Sequence, residues 1–503
     1  MSDIRQVSAT VAICLGTFMS TLDISIVNVA LPAIQKTFNS NMSDLQWVID
    51  AYALCLSVLI LSSGQLSDMT GRKRIWMSGV IFFTIGSVLC SVAPSMDYLL
   101  GGRVIQGIGA AALIPGALSL ITHEFPDLNT RIKIIGIWSS VNAVSLVTGP
   151  VLGGIIVNAT DWSFIFMINI PVGIIVLLLG GWSIRESKGN VSAADPIGQL
   201  LSVIVLGTLT WGFILTGKYG WNDYRIIILF VISLLSSGVF IITEMKVSNP
   251  LFPLSMFRSL RFSLFNLASF ILGFSSYTSV FFISLYLQQA CGWDAWQTGW
   301  GIAPEFLAMA AFSVVFGRLS MKFRIINLLT AGNCMLACSL LLLSVATGYG
   351  SSYTVIALLL IPLGAGTGLI VPAVSALIMN SAPDNLSGTA SSIMNALRQT
   401  GMTVGIALLG SLMNMATLEL LSDGLQRKEL TDIQQIIGEF TEHPDIGGIQ
   451  QFIYHAFSWG FSVAMFWAGI ACSLMTLILI MQRRKLTANL HHHTVKPDND
   501  ARK

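Results

Sequence analysis

Long apolar stretches alternate along the chain with short polar segments. A helix of about 20 predominantly apolar residues crosses the hydrocarbon core of a bilayer, and fourteen stretches of that kind can be read along the sequence. They cover residues 7–31, 45–65, 75–94, 98–122, 133–157, 163–183, 198–217, 226–243, 263–288, 297–317, 325–347, 353–379, 392–417 and 453–482. The pattern predicts an all-α polytopic membrane protein with fourteen transmembrane helices.

The composition supports this class and excludes several others. Apolar residues make up 54% of the chain and charged residues only 10%, whereas a soluble globular protein has about 25% charged residues. The seven cysteines are scattered and include no C-x-x-C pair, so we expect neither a disulfide framework nor a metal site. The net charge is +2, and the chain contains no long run of basic residues. We therefore expect no nucleic-acid partner. We also expect no cofactor.

The Lys and Arg residues orient the chain. If the N-terminus is cytoplasmic, 21 of the 27 basic residues fall on the cytoplasmic side, with Arg398 counted among them, and five fall on the outer side. Arg103 lies within a span. Because basic residues accumulate in cytoplasmic segments, we expect an integral protein of the cytoplasmic membrane with both termini inside. The polar segment 418–452 then lies outside, and we expect a disordered cytoplasmic tail at 486–503.

Two short motifs recur in the second half of the chain. The sequence GQLSD at Gly64–Asp68 has a counterpart in GRLSM at Gly317–Met321, 253 positions later. A Gly-x-Gly pair followed by PGALSLI in the fourth span matches a pair followed by PAVSALI in the twelfth, at an offset of 257. Repeated bundles are typical of alternating-access transporters. We predict six-helix bundles at 1–190 and 251–485, with two additional helices at 191–250.

The polar segment between spans two and three contains an acid among bases. Its sequence, GQLSDMTGRKR, begins at Gly64, and Gly71 permits a tight turn. Asp68 can pair with a following base such as Arg72 or Arg74, or can cap the next helix. An ordinary positive-inside loop explains the bases but not the placement of the acid.

Spans four and five carry two further patterns. In RVIQGIGAAALIPGA, Arg103 lies about 7 Å from the outer end of its span at 1.5 Å per residue. An intramembrane Arg indicates function by default, although an Arg that snorkels to the interface remains an alternative. In GIWSSVNAVSLVTGPVLGG, small residues and a proline lie along one helix, which also suits close helix packing. The residues concerned are Gly136, Gly149, Pro150, Gly153 and Gly154.

These motifs together resemble those of the major facilitator superfamily, in its fourteen-helix drug:proton antiporter subfamily of the EmrB/QacA type. The G-x-x-x-D-x-x-G-R-K-R pattern is similar to a loop that connects the two bundles of the family and influences their cycle, so we call Gly64–Arg74 the gating segment. The R-x-x-Q-G-x-G-A element resembles one whose Arg is implicated in proton transfer. The span-five pattern resembles the antiporter motif, with Ser145 where that motif usually has Gly. LDISIVNVALP and DWSFIFMINIPVG extend the resemblance.

The resemblance implies a proton-coupled antiporter that exports hydrophobic, cationic drugs, dyes or biocides by alternating access. An exporter of one defined metabolite, lipid or siderophore remains an alternative. An enzyme is disfavoured because the sequence shows no clustered nucleophile or metal-ligand set. We expect a monomer in the bilayer whose ligands are a small hydrophobic substrate and protons.

Three acids within spans are candidates for proton and substrate binding beside Arg103. Asp23 lies about 13 Å and Glu305 about 12 Å below the outer surface at 1.5 Å per residue, and Asp50 lies nearer to it. Burial favours the protonated form of a carboxyl group, which suits exchange of a proton for a cationic substrate. For Asp23, simple pairing with Arg103 is the alternative.

Six aromatic residues occupy positions that suit a cavity for a hydrophobic cation. For any one of them, ordinary lipid-facing or interfacial packing is the alternative. They are Phe18, Tyr52, Trp138, Tyr277, Tyr286 and Trp300.

Overall fold

A computed structural model describes residues 2–40, 42–189, 195–247, 250–293, 295–348, 352–425 and 447–487. Within these ranges the regular structure is helical, and fourteen helices are long and apolar enough to cross a membrane. The predicted fold class and the number of spans are thereby confirmed. Most of the segment 418–452 and nearly all of the tail 486–503 lie outside the described residues.

The first six helices are numbered from the N-terminus. They are α1 (Ser2–Phe38), α2 (Met42–Thr70), α3 (Arg72–Ser91), α4 (Met96–Glu124), α5 (Leu128–Ala159) and α6, which consists of a single turn (Phe164–Met167) and a longer piece (Asn169–Ser183). Two further helices follow, α7 (Pro196–Tyr219) and α8 (Tyr224–Glu244).

The last six helices follow a short 3₁₀ turn. They are α9 (Leu260–Leu272, Gly273–Tyr277 and Thr278–Gln289), α10 (Ala295–Lys322), α11 (Ile325–Gly348), α12 (Tyr353–Ser381), α13 (Ser387–Leu425) and α14 (Gly447–Thr487). The predicted boundaries between the two bundles and the additional helices stay a prediction.

Polar side chains define where several helices begin. Ser95 accepts a hydrogen bond from the backbone of Tyr98 at the start of α4. At the start of α5, Asp127 accepts bonds from the backbone and the hydroxyl of Thr130, at 2.8 and 2.6 Å. These bonds lower the pKa of Asp127 because they favour its charged form. Such caps satisfy N–H groups that have no partner within the helix.

The gating segment is not the loop that the sequence predicted. Its first seven residues continue α2 to Thr70, and Arg72 already begins α3, so Gly71 alone joins the two helices. The apolar pattern underestimated α2 because backbone hydrogen bonds continue a helix after its side chains become polar. Gly71 has φ 132°, a conformation that residues with a Cβ rarely adopt.

Helix α9 contains a π-helical segment at Gly273–Tyr277. Within it, the hydroxyl of Ser276 lies 2.7 Å from that of Thr367 on α12. The hydroxyl of Thr278 donates to the Gly273 carbonyl oxygen at 3.0 Å. Segments of this kind inside α-helices occur frequently at functional sites, and nothing in the apolar pattern predicted this one.

The internal repeat is visible in how helices pack within each half. Gly149 and Gly153 of α5 lie against α1, where a Cβ on Gly153 would come within 2.9 Å of Ile26 Cγ1. At an offset of 252, Gly401 and Gly405 of α13 lie against α9, where a Cβ on Gly401 would overlap the Phe270 carbonyl. The α1–α5 and α9–α13 contacts therefore use corresponding glycines, and the helix backbones approach closely at both.

Contacts between the two halves also come in a corresponding pair. Helix α2 contacts α13, and α5 contacts α10. A Cβ on Gly64 of α2 would lie 2.7 Å from the Gly388 carbonyl oxygen, and one on Gly136 of α5 would lie 2.7 Å from the Ser313 carbonyl oxygen. Both sets of residues lie toward the predicted cytoplasmic ends of their helices, so the two bundles meet on that side.

The additional helices bridge the two bundles. Helices α7 and α8 pack together, with the Ser233 hydroxyl donating to the Val205 carbonyl at 3.2 Å. Helix α7 contacts α2 and α13. In the turn that follows it, the indole N–H of Trp221 donates to the Ser411 hydroxyl of α13 at 3.0 Å.

We predict that Gly401→Ala destabilises the protein. Its methyl group would overlap the Phe270 backbone, and overpacking of this kind costs about 1–3 kcal/mol. The measurement is the midpoint of thermal unfolding in detergent. Gly410→Ala on the same helix is the control, because its Cβ would have only an ordinary contact of 3.5 Å with the Phe282 ring. Equal midpoints for the two variants would contradict the close approach of α9 and α13.

Candidate functional site

The centre of the first bundle holds a buried ion pair. Asp23 of α1 is fully buried and accepts a hydrogen bond from Nη1 of Arg103 of α4, which is 2% exposed. Gln106, one turn along α4, accepts from the same Nη1 at 2.8 Å and donates to Asp23 Oδ1 at 3.1 Å. Arg103 Nε donates to the Val48 carbonyl of α2 at 2.8 Å. The predicted contact between Asp23 and Arg103 is present.

Two more side chains enclose this ion pair. The guanidinium carbon of Arg103 lies 4.6 Å from the ring centroid of Tyr52 on α2, a cation–π contact. The Tyr52 hydroxyl donates to the Ser20 carbonyl at 3.2 Å. Gln106 also donates to the Ser87 hydroxyl of α3 at 2.8 Å. The network thus joins four helices, and a change in the charge of Asp23 would affect all of them.

Asp50 is not part of this network. It lies on α2 two residues before Tyr52, is half-buried, and forms none of the ion pairs found in the described ranges. The structure therefore brings together Asp23 and Arg103 but not Asp50.

Glu305 is the buried acid of the second bundle. It lies on α10, is 2% exposed, and its Oε2 atom has no hydrogen-bond partner in the described structure. Its backbone packs against Gly364 of α12, just as the Tyr52 backbone packs against Gly107 of α4. The offsets between these residues are those of the internal repeat. Glu305 therefore occupies in the second bundle the place that Tyr52 occupies in the first.

Asp68 of the gating segment connects the two bundles. Arg72 donates to its Oδ1 atom through Nε at 3.1 Å, and Nη2 of the same guanidinium group lies 3.0 Å from Oδ1 in an ion pair. The N-terminus of α13 supplies three more donors, the backbone N–H of Gly388 at 3.1 Å and the N–H and hydroxyl of Thr389 at 2.8 and 3.0 Å. Asp68 is fully buried. A negative charge at a helix N-terminus is favourable, so this contact holds together the helix ends on the predicted cytoplasmic side.

Helix α4 reinforces the same contact. The Ser119 hydroxyl lies 3.0 Å from that of Ser387, and the Ser391 hydroxyl donates to the Pro115 carbonyl at 2.7 Å. The structure therefore shows a state in which the bundles are joined on the predicted cytoplasmic side.

Comparison with known proteins identifies the family. A family model described as the Major Facilitator Superfamily matches residues 13–406. The chain belongs to the major facilitator superfamily. Because that superfamily consists of membrane transporters, the protein is an integral multi-pass transporter rather than an enzyme.

Individual relatives of this major facilitator chain cover most of its length. Multidrug resistance protein Stp of Mycobacterium tuberculosis is 34% identical over 453 residues, which are 88% of this chain and 84% of that protein. Methylenomycin A resistance protein of Bacillus subtilis is 32% identical over 413 residues, which are 82% of this chain and 88% of that protein. A crystal structure of the human organic anion transporter MFSD10 (TETRAN) superposes with a TM-score of 0.66 at 12% identity, over 94% of this chain and 99% of that one. This last likeness shows the major facilitator fold.

The span-five pattern lies between the two bundles of this major facilitator protein. Gly149 and Gly153 face α1, whereas Gly154 faces α10, where its Cβ would lie 2.8 Å from the Trp296 ring. Ser145, the departure from the usual motif, accepts through its carbonyl a bond from the Ser25 hydroxyl at 3.4 Å. Pro150 lies within α5. Helix α5 thus contacts α1 near the ion pair and contacts the opposite bundle.

The six predicted cavity aromatics do not form one group. Trp138 is fully buried and donates to the Thr17 hydroxyl at 2.8 Å, and Tyr286 is buried against Phe461. Trp300 is half exposed and packs edge-on against Trp296. Phe18 is partly buried. That any of these residues lines a cavity for substrate stays a prediction, since residue type alone does not show on which side of its helix each ring lies. Tyr52 and Tyr277 instead contact arginines.

The arginine beside Tyr277 was missed as a site residue. Arg398 lies in α13, its guanidinium carbon 5.5 Å from the Tyr277 ring centroid, and it donates to the Asn395 side chain. Tyr277 ends the π-helical segment of α9. The signal was present, because Arg398 falls inside the apolar stretch 392–417 although it was counted with the cytoplasmic bases. It gives the second bundle an intramembrane cation.

An apolar crevice of about 610 Å³ opens on the second bundle. It is lined mainly by α13 and α14, together with Trp221 and Phe274. None of the predicted site residues lines it.

We predict that Asp68→Asn separates the cytoplasmic ends of the bundles. Removing one partner of a buried ion pair costs about 3–5 kcal/mol, here by leaving Arg72 without its carboxylate. The measurement is the distance between spin labels on Thr70→Cys at the end of α2 and Asn385→Cys in the turn before α13, with the exposed native cysteines replaced by serine.

Glu186→Gln is the matched control for this experiment. Glu186 pairs with Arg74 at the same end of the molecule but within one bundle. An unchanged distance distribution in Asp68→Asn would contradict a role for Asp68 in closing the cytoplasmic side.

Proposed function

We propose that the protein is a proton-coupled antiporter that exports hydrophobic, cationic drugs, dyes or biocides across the cytoplasmic membrane by alternating access. Glu305 is the observation that carries the proposal. It is a buried acid within a membrane span, and one of its oxygens lacks a donor. A charge buried without a partner is strongly unfavourable. The carboxyl therefore holds a proton or faces a cation, and these two ligands compete.

Asp23 has a different part in this proposal. Its charge is already balanced by Arg103, so a proton on Asp23 would break that ion pair rather than replace a substrate. Two residues further along α1, Ser25 is tightly packed against Gly149 of the span-five pattern. We assign to Asp23 a link between protonation and the α1–α5 contact, and to Glu305 direct competition between proton and substrate.

The relatives support the coarser part of the proposal. One is named for multidrug resistance and another for resistance to methylenomycin A. Proton coupling, the direction of transport, the cytoplasmic orientation of both termini and the monomeric state are parts of the proposal. The positive-inside distribution of bases supports the orientation, and the buried acids support proton coupling.

We predict that Glu305→Gln abolishes proton-driven export but retains substrate exchange. In liposomes with an imposed pH gradient, the variant should move ethidium at the rate of protein-free liposomes, because its side chain can no longer bind and release a proton. In counterflow without a pH gradient it should still exchange labelled for unlabelled dye, since exchange needs no net proton movement. Asp23→Asn should impair both processes.

Two controls complete this experiment. Asp97→Asn removes an exposed acid at the outer start of α4 and should export as wild type does. Asp50→Asn tests the acid that lies outside the network, and we expect partial loss. Full proton-driven export by Glu305→Gln would refute the assignment of Glu305.

A panel of substrates separates the two candidate functions. The name of the methylenomycin relative favours a transporter for one compound. Transport of a single compound, with no movement of ethidium or other hydrophobic cations, would favour that alternative over multidrug export.

A further inference from the structure

Two buried acids lie at the cytoplasmic end of the additional helices. Asp195 caps the start of α7, and Glu244 is the last residue of α8; each is 3% exposed. Asp195 Oδ1 accepts from the backbone N–H of Gly198 at 2.8 Å, and Glu244 Oε2 accepts from that of Phe252 at 2.8 Å. The other oxygen of each carboxyl, Oδ2 of Asp195 and Oε1 of Glu244, has no donor.

These two oxygens meet over Gly198. A Cβ on Gly198 would overlap Asp195 Oδ2 and would lie 2.5 Å from Glu244 Oε1. The glycine therefore leaves the space in which the carboxyl groups approach each other, and Glu244 interacts directly with Asp195.

Among the residues that the structure describes, no base forms an ion pair with either acid. None of the ion pairs in the described ranges includes Asp195 or Glu244. On α2, which packs against α7, the nearest charged group along the chain is Asp68, and it is paired with Arg72. The flanking segments carry Lys188 and Lys246, and neither forms an ion pair with the two acids in the described structure.

Two ionised carboxylates cannot both remain stable in this position. Buried like charges in contact raise the free energy of the doubly charged form, and one proton between them replaces repulsion with a strong O–H···O hydrogen bond. The unpartnered oxygens Oδ2 and Oε1 face the one space in which such a proton would satisfy both.

The pair is also connected to the gating segment. The backbone N–H of Asp195 and the side-chain amide of Gln199 both donate to Gln65 Oε1, at 3.3 and 3.1 Å. Gln65 lies three residues before Asp68. The N–H of Gly189 in the preceding linker donates to the Asp68 carbonyl at 2.7 Å. A movement of Asp195 can therefore reach α2, the helix that contacts the second bundle, through a single hydrogen bond.

We propose that Asp195 and Glu244 form a proton-binding site that shares a single proton and responds to the pH of the cytoplasm. With the proton bound, the ends of α7 and α8 stay together and Asp195 keeps its bond to Gln65. When the proton leaves, the two carboxylates repel, the helix ends separate, and the support of α2 beside Asp68 is lost. This site is independent of Glu305 and of the substrate.

Infrared spectroscopy of the purified full-length protein tests the proposal. In a difference spectrum of wild type minus Glu244→Gln, we expect the carbonyl band of a protonated carboxyl group, which shifts in D₂O and disappears as the pH is raised. Asp195→Asn should lose the same band. Because Asn also caps helices well, this second variant keeps the helix start if Glu244→Gln folds poorly.

Thermal unfolding gives a second measurement. The shared proton stabilises the folded state only while it is bound, so the unfolding midpoint of wild type should fall as the pH is raised through the range in which the band disappears. Glu244→Gln should lack this pH-dependent fall, because its amide donates a permanent N–H to Asp195. Asp223→Asn is the control, since Asp223 caps the opposite end of α8 and should leave the pH response unchanged.

Two results would overturn the proposal. One is the absence of any carboxyl band that distinguishes wild type from both variants. The other is removal of the band at constant pH when N-methylglucamine is replaced by Na⁺, which would make the site one for an alkali cation.

Discussion

A charge that lies among membrane helices has to be balanced there, because neither water nor a high dielectric is available to stabilise it. In the first bundle this constraint is met by Asp23 and Arg103, with Gln106 bonded to both and Tyr52 over the guanidinium group. These bonds fix how α1, α2, α3 and α4 are rotated about their axes. In the second bundle Glu305 lies at the place equivalent to Tyr52, and its Oε2 atom has no partner in the described structure, so this acid has to hold a proton or face a cation. The two halves thus share their helix packing but differ in the residues that carry buried charge.

Close backbone approaches provide that shared packing. Gly149 and Gly153 on α5 correspond to Gly401 and Gly405 on α13, and each pair lets its helix pack tightly on the first helix of the same bundle. Helices α5 and α13 also contact the opposite bundle. A change in the charge of a side chain near α1 can therefore alter the contact between the bundles, because α5 packs against both.

Much of this architecture follows from the sequence, because hydropathy and repeats report on the whole chain. The fourteen spans, the two related halves and the Asp23–Arg103 contact were all predictable. Hydropathy does not show that α2 continues through Asp68 to Thr70, since a helix is held by its backbone, nor that α9 contains a π-helical segment. Arg398 was hidden by its nearness to the cytoplasmic end. The approach of Asp195 to Glu244 depends on how a turn and two helices pack, which no local pattern records.

The two contacts between bundles are unequal. At the α2–α13 contact, Asp68 forms an ion pair with Arg72 and accepts four hydrogen bonds, one from Arg72 and three from the N-terminus of α13. At the corresponding place in the repeat stands Met321, which is 56% exposed and cannot accept such bonds. The α5–α10 contact rests on the close approach of Gly136 and Gly317 to opposing backbone. Under the alternating access proposed above, opening of the predicted cytoplasmic side has to break the hydrogen bonds of Asp68 at the α2–α13 contact, whereas the α5–α10 contact can persist. The two bundles would then rotate apart about the α5–α10 contact while the α2–α13 contact separates.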